Sequence, residues 1–291
     1  MIADRRTGVW RLFLESLRPL VALFAWDVVV VLAFQLAHQP WMDQPALPYS
    51  LIGSALVLFL NVRNNAAYNR WWEARTLWGS VVNNTRSFSR QVASLLGGSP
   101  ELTRAMVAYV HALRGGLRGA PTTEDTNRLL TPEMAARIAE RRNKANAVLY
   151  EIGIGVADIV NARHVHPAAH SEIDRILSDL ANGQGGLERI RNTPLAIQFS
   201  VLPRLLVRIF CIVLPLSMVQ ELGWITPFGS TLVGFLFVAL DKIGADLEEP
   251  FVDTPHAIPM RTITRNIEID LLQSIGEPAP EPLPLIKGVM R

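Results

Sequence analysis

The chain has 291 residues, 49% hydrophobic and 19% charged, with a mean hydropathy of +0.22; it is more apolar and less charged than water-soluble domains of this length. A formal net charge of +2 argues against an extensive nucleic-acid footprint, and the single cysteine, Cys211, excludes an intrachain disulfide. The sequence carries no phosphate loop, nucleophile elbow or paired catalytic carboxylates, and Gly183-Gln184-Gly185-Gly186 follows a polar helical stretch rather than a strand, so it does not read as an enzyme.

Residues 1–18 hold Arg5, Arg6, Arg11 and Arg18 against Asp4 and Glu15, and residues 19–37 read as a first membrane span. That run is long for a signal peptide, and no small-x-small cleavage site follows it directly. The link 38–47 has no Lys or Arg, so the positive-inside rule puts it outside and the basic N-terminus in the cytoplasm. The one formal charge in this span is Asp27. A carboxylate deep in a membrane helix costs roughly 2.5–3.5 kcal/mol and requires a partner or a proton. Arg204 and Arg208, one turn apart on the third span, are the basic residues of comparable depth, so an Asp27–Arg208 pair, or Asp27–Arg204, is expected. The alternative is that both arginines reach the lipid headgroups and Asp27 bonds a neighbouring polar side chain.

Residues 47–90 read as one unbroken helix, with Pro48 at its first turn and no proline after it. Its apolar part, 47–62, covers about 24 Å, short of the roughly 30 Å of a hydrocarbon core. Ser54, Leu58, Val62 and Ala66 fall on one face, fit either to line a narrow pore or to let another helix approach. Residues 63–199, with 17 Lys/Arg against 12 Asp/Glu, read as a cytoplasmic helical region. Ser99-Pro100-Glu101 and Thr131-Pro132-Glu133 are helix starts. Gly115-Gly116, Gly119 and Pro121 break the chain between them, and 145–159 and 171–180 carry helical periodicity. Thr193-Pro194 is expected to cap the next helix. A third span over 205–222 turns at 221–223 into a fourth over 226–240, leaving both termini in the cytoplasm and Trp41, Tyr49 and Trp224 near the outer interface.

The sequence thus divides into 1–62 with two spans, a helical region 63–199, a membrane hairpin 200–241, a cytoplasmic segment 242–276 and a Pro-rich, disordered tail 277–291. His164, His166 and His170 form an H-x-H with a third histidine, which suits either a metal or a solvated loop. Asp241, Asp246, Glu248, Glu249 and Asp253 form an acidic cluster after the fourth span.

The run Arg63-Asn64-Asn65-Ala66-Ala67-Tyr68-Asn69-Arg70-Trp71-Trp72-Glu73-Ala74-Arg75, continued by Thr76-Leu77-Trp78-Gly79, resembles the signature of bestrophin-family proteins, above all bacterial ones. So does Thr193-Pro194 through Leu222-Gly223-Trp224-Ile225-Thr226-Pro227, followed by Asp246-Leu247-Glu248-Glu249-Pro250-Phe251. The resemblance implies an all-α homopentamer in the cell inner membrane, with four spans and a central pore lined by the long second helix. Small monovalent ions would pass through it, with the lipid bilayer and other copies of the chain as partners. It places the pore neck at Ser54, Leu58 and Val62 and a cytoplasmic aperture at Ala168, where five copies of His166 and His170 would gain charge on acidification. Animal members carry aromatic residues at the neck, whose ring edges face anions; Leu58 and Val62 have none, so cation selectivity stays open. After Pro250-Phe251 the glycine and most carboxylates of the animal calcium clasp are missing, so no cofactor is expected. The rival reading is a non-conducting membrane scaffold that binds a cytoplasmic partner.

Overall fold

A computed structural model describes the backbone of residues 5–37 and 46–284, and the side chains of 17–36 and 48–284. Most of the predicted outer link with Trp41, the side chains of Arg5, Arg6 and Arg11, and the tail from 285 lie outside the described residues. The described chain is all-helical: α1 Arg5–Ala37, α2 Ala46–Leu96, α3 Pro100–Arg118, α4 Thr123–Asn127, α5 Pro132–Ala139, α6 Lys144–Ala162, α7 Pro167–Asn192, α8 Ile197–Leu222, α9 Thr226–Glu248 and α10 Met260–Ser274. The chain forms two compact units, Ile2–Trp71 with Pro194–Glu249, and Trp72–Thr193 with Pro250–Arg291. The boundaries read from the sequence, at 62, 199 and 241, mark changes of polarity; the compact units change over at 71, 193 and 249.

The first unit is built of α1, the start of α2, α8 and α9. Among the described residues, two stretches are long and apolar enough to cross a bilayer, Leu17–Leu36 and Ile197–Glu248, the latter holding both α8 and α9. Its core joins Leu56 and Leu60 of α2 to Val207, Phe210, Cys211 and Leu214 of α8 and Phe237 of α9. Gly53 admits the Phe210 ring, which would lie 3.0 Å from a Cβ at that position. The outer faces stay apolar and exposed, with Val29, Leu205, Ile212, Leu232 and Leu236 all open to the surroundings. An apolar surface of that extent is one that lipid or neighbouring subunits cover. Within it Asp27 is buried and accepts a hydrogen bond from the Thr231 hydroxyl of α9 at 3.1 Å. The expected pairing with Arg208 or Arg204 is therefore corrected: Arg204 pairs with Glu248 at 3.0 Å, and Arg208 is exposed. Asp27 faces α9, and a hydroxyl four residues past the α9 proline meets it there.

The second unit packs the rest of α2 with α3–α7 and α10. The Ser99 and Thr131 side chains cap α3 and α5 as expected, accepting from Leu102 N and Met134 N. Gly115-Gly116 do not break α3, which ends at Gly119 with a φ of 68°. Gly183–Gly186 lie inside α7, where a Cβ on Gly186 would come within 2.8 Å of Leu77. Thr193 ends α7 instead of opening α8, whose N-cap is Ala196. Residues 277–284 carry no regular secondary structure.

A polar knot ties α3, α4 and α10 in this unit. His111 Nε2 donates to Glu268 Oε2 at 3.2 Å, the Arg128 guanidinium holds Oε1, and Arg265 Nε lies 3.5 Å from Oε2. Asp125 completes the knot, 3.5 Å from His111 Nδ1 and 2.8 Å from Arg114. Burial alone would raise the Glu268 carboxyl, but hydrogen bonds from His111 and Arg128 overcome it and lower the pKa from 4.5 to about 2. A depressed carboxyl stabilises the fold above its unfolded value and loses that contribution as pH falls toward the folded one. Melting of the detergent-purified protein is therefore expected to lose on the order of 3 kcal/mol between pH 4.5 and about 2 through this residue. Glu268→Gln is expected to be less stable at neutral pH and to decline less over that window. Parallel pH profiles of variant and parent would contradict a held charge at Glu268.

Candidate functional site on the free face of the second helix

Helix α2 runs unbroken for 51 residues, about 77 Å at 1.5 Å per residue. It buries a stripe at helical spacing: Gly53, Leu56, Leu60, Arg63 and Ala67, then Ala74, Trp78, Val81, Thr85 and Phe88. With about 100° per residue, Leu58 points about 180° from the middle of that stripe. It is 68% exposed and Val62 is 54% exposed, and Ser54 beside them is exposed too. The three residues share a face that stays exposed among the described residues. The Ser54 hydroxyl donates to the Ser50 carbonyl at 2.9 Å, which uses its proton on its own helix.

Past Val62 the same face changes chemistry. Asn65, Asn69, Thr76, Ser80 and Asn83 continue it, all exposed, and no Lys or Arg stands on it before Arg90. At its edge Glu73 pairs with Arg189 of α7, both well exposed. The face is therefore apolar over its first turns and beyond them lined mostly with neutral amides and hydroxyls, interrupted by the exposed Trp72 and Glu73.

The opposite side of α2 carries a buried ionic node at the point where the polarity changes. Arg63 has no exposed side-chain surface; it pairs closely with Asp241, and its Nη2 lies 3.5 Å from Glu248 Oε2. The same Glu248 oxygen takes Arg204 of α8 at 3.0 Å. Asn64 Nδ2 donates to the Leu240 carbonyl at 2.9 Å, and Arg70 Nε donates to the Glu248 carbonyl at 3.0 Å. Between the two acids, Gly244 is required: a Cβ there would lie 2.1 Å from Asn64 Oδ1. Asp241 and Glu248 of the acidic cluster are thus counterions of arginines, Asp246 lies 3.5 Å from Lys242, and Asp253 pairs with Arg118 at 3.2 Å. Sequence reasoning missed this node. The spacing of Asp241 and Glu248, seven residues or two turns apart on one face, is the signal that could have found it.

Ala168 is exposed in the first turn of α7, and His170 is half-buried nearby in sequence. His166 caps that helix, its Nδ1 accepting from the Ala168 N–H at 3.2 Å. His164 sits at a φ of 50°. Among the described residues no group of three or more His, Cys, Asp or Glu side chains is arranged to hold a metal ion.

A family model described as "Bacterial/Fungal Bestrophin protein" matches residues 11–273. The voltage-dependent anion channel-forming protein YneE of Salmonella typhi is 33% identical over 268 residues, 91% of this chain and 84% of that protein. The YneE protein of Escherichia coli K12 is 33% identical over 288 residues, 94% of this chain and 91% of that one. The crystal structure of a bacterial bestrophin homologue from Klebsiella pneumoniae superposes with a TM-score of 0.85 at 29% identity, covering 89% of this chain and 98% of that one.

Removing one partner of a buried ion pair leaves the other charge unpaired, at a cost of about 3–5 kcal/mol, whereas an exposed partner contributes about 1 kcal/mol or less. Arg63→Gln is accordingly expected to destabilise the purified protein by the larger amount, and Arg204→Gln, at a 42% exposed side chain, by the smaller. Denaturation in detergent measures both. Equal losses at the two sites would contradict a node centred on Arg63.

Proposed function

The chain belongs to the bacterial and fungal bestrophin family, and from that membership we propose that it is an inner-membrane homopentameric channel for small monovalent ions. Five copies of α2 line its central path, α1, the start of α2, α8 and α9 supply four spans, and both termini are cytoplasmic. The single observation that carries the reading is the free face of α2: Ser54, Leu58 and Val62 turn away from their own subunit's core while Arg63 turns into it. An exposed leucine and valine beside a buried arginine invert the usual order of a helix in water. A five-fold axis removes the inversion, because the apolar face then meets its own copies.

The mechanism needs no chemistry beyond barriers. Rings of Leu58 and Val62 form an apolar neck whose width and hydration set the main barrier, and amides and hydroxyls below it replace part of an ion's water shell. The curated relatives are named as anion channels. Aliphatic rings offer an ion neither a positive ring edge nor a charge, so the neck supplies little preference by sign. The sign of the permeant ion then depends on charges further along the face, and Glu73 with Arg189 is the pair placed there. Ala168 with His166 and His170 forms the second constriction in this reading, without calcium at the degenerate clasp.

Flux from purified protein in liposomes, with reversal potential read in asymmetric salt, tests the channel. Absence of flux would favour the non-conducting scaffold. Leu58→Phe and Val62→Phe are expected to change relative anion permeability, while Ile52→Phe, exposed but about 120° from Leu58 and about 80° from Val62 on α2, is expected to leave it unchanged. Leu56, only 4% exposed in the core, is no control, since a larger residue there overpacks the subunit.

A second measurement concerns sign. Arg189→Gln is expected to shift reversal potentials toward cations and Glu73→Gln toward anions. The expected size is about five-fold in relative permeability, the order of 1 kcal/mol that a unit charge exerts at 4 Å in water. Shifts in the same direction, or none in a conducting protein, would remove this pair from the path.

A further inference from the structure

Apart from the free face of α2, the second unit contains a cavity of about 880 Å³ that none of the preceding roles uses. It lies between the C-terminal end of α3, the short helices α4 and α5, the start of α6 and the end of α7. Its size falls within the range of small-molecule sites. Small residues create it. Gly115 lets the following loop close, since a Cβ there would lie 2.6 Å from Thr122 Oγ1 and 2.8 Å from the Ala120 carbonyl. Gly116, one residue on, is exposed and has nothing within 4 Å of its Cβ position, so it lines space without packing against anything.

The charges around the cavity divide into used and unused ones. Lys144 is used: its ammonium donates to the Ile138 carbonyl at 3.0 Å and to that of Ala139, closing the end of α5. Glu188 is held by amides, accepting from Asn143 Nδ2 at 2.8 Å and Gln184 Nε2 at 2.7 Å. Arg142, from the link between α5 and α6, and Arg191, from the last turn of α7, line the same cavity and have no ion-pair or hydrogen-bond partner among the described residues. Two guanidiniums from different walls, over an apolar floor that includes Leu113 and Ile138, are the arrangement that recognises a carboxylate or phosphate attached to an apolar body. Glu188 on the wall disfavours a second negative group, which limits the ligand to one.

We propose that this cavity is a binding site for a small organic anion, its apolar body between α3 and α5 and its single carboxylate or phosphate held by Arg142 and Arg191. The proposal concerns binding alone and does not depend on conduction.

Thermal unfolding of the full-length protein in detergent tests it, with benzoate, phenyl phosphate and benzamidine as probes at constant ionic strength. Benzoate or phenyl phosphate is expected to raise the melting temperature saturably, and which of them does so identifies the anionic group. Benzamidine, the same ring with a cation, is expected to leave it unchanged. Gly116→Phe, which fills the cavity from an unpacked position, is expected to abolish the rise. Should that variant not fold, the double change Arg142→Gln and Arg191→Gln, at two exposed side chains, is expected to weaken binding at least ten-fold. No saturable rise with either anion, an equal rise with benzamidine, or a rise retained in a folded Gly116→Phe or the double variant overturns the proposal.

Discussion

The structure of the first unit depends on neutralising one arginine. Arg63 follows the apolar start of α2 by a single residue, and its guanidinium is buried without any exposed surface. A charge in that position is tolerated only with counterions in contact. Asp241 and Glu248 supply them from one face of α9, which is why α9 continues as helix to Glu248, well past the end of its apolar run. Gly244 keeps the space between the two acids open for Asn64, and Glu248 also draws in Arg204 from α8. Three helices are joined at one point by charges of both signs in equal number.

This node also sets the rotation of α2 about its axis. Neighbouring residues on a helix point about 100° apart, so an Arg63 drawn to α9 turns Val62 and Leu58 away from α8 and α9. The core on the other side agrees with it: Leu56 and Leu60 meet Phe210 and Phe237, whose rings lie tilted against each other at 4.8 Å between centroids, and Gly53 admits the Phe210 ring. Packing and electrostatics thus select the same orientation, and the free face of α2 is their consequence. Arg63 acts on that face by positioning it; its own charge is spent inside the first unit.

A second economy of charge marks the helical unit. Glu268, Asp125, Arg114 and Arg128 satisfy one another around His111, and Glu73 has Arg189. The free face of α2 past Val62 carries mostly neutral amides and hydroxyls, and Arg142 and Arg191 line the cavity without a counterion among the described residues. Every pair made inside the fold is one fewer group for a ligand or an ion.

What the sequence by itself determined was local. The apolar runs, the unbroken periodicity of α2, and the hydroxyl-proline starts at Ser99 and Thr131 each depend on residues a few positions apart, and the folded chain reproduces them. The face of Ser54, Leu58 and Val62 was legible for the same reason, though whether it packed or stayed free was not. Tertiary structure alone decided the partners. Thr231 was not distinguishable in sequence from other polar groups as the partner of Asp27, 204 residues away. The Gly183–Gly186 run is helical because Leu77 requires a glycine opposite it, a reason stored in another helix. Thr193-Pro194 carries the local mark of a helix start, yet α7 extends to Asn192 and takes Thr193 as its end. Helical hydrogen bonds and caps span three or four residues and can be read along the chain; ion pairs and cavities join residues that only the folded backbone brings within a few ångströms.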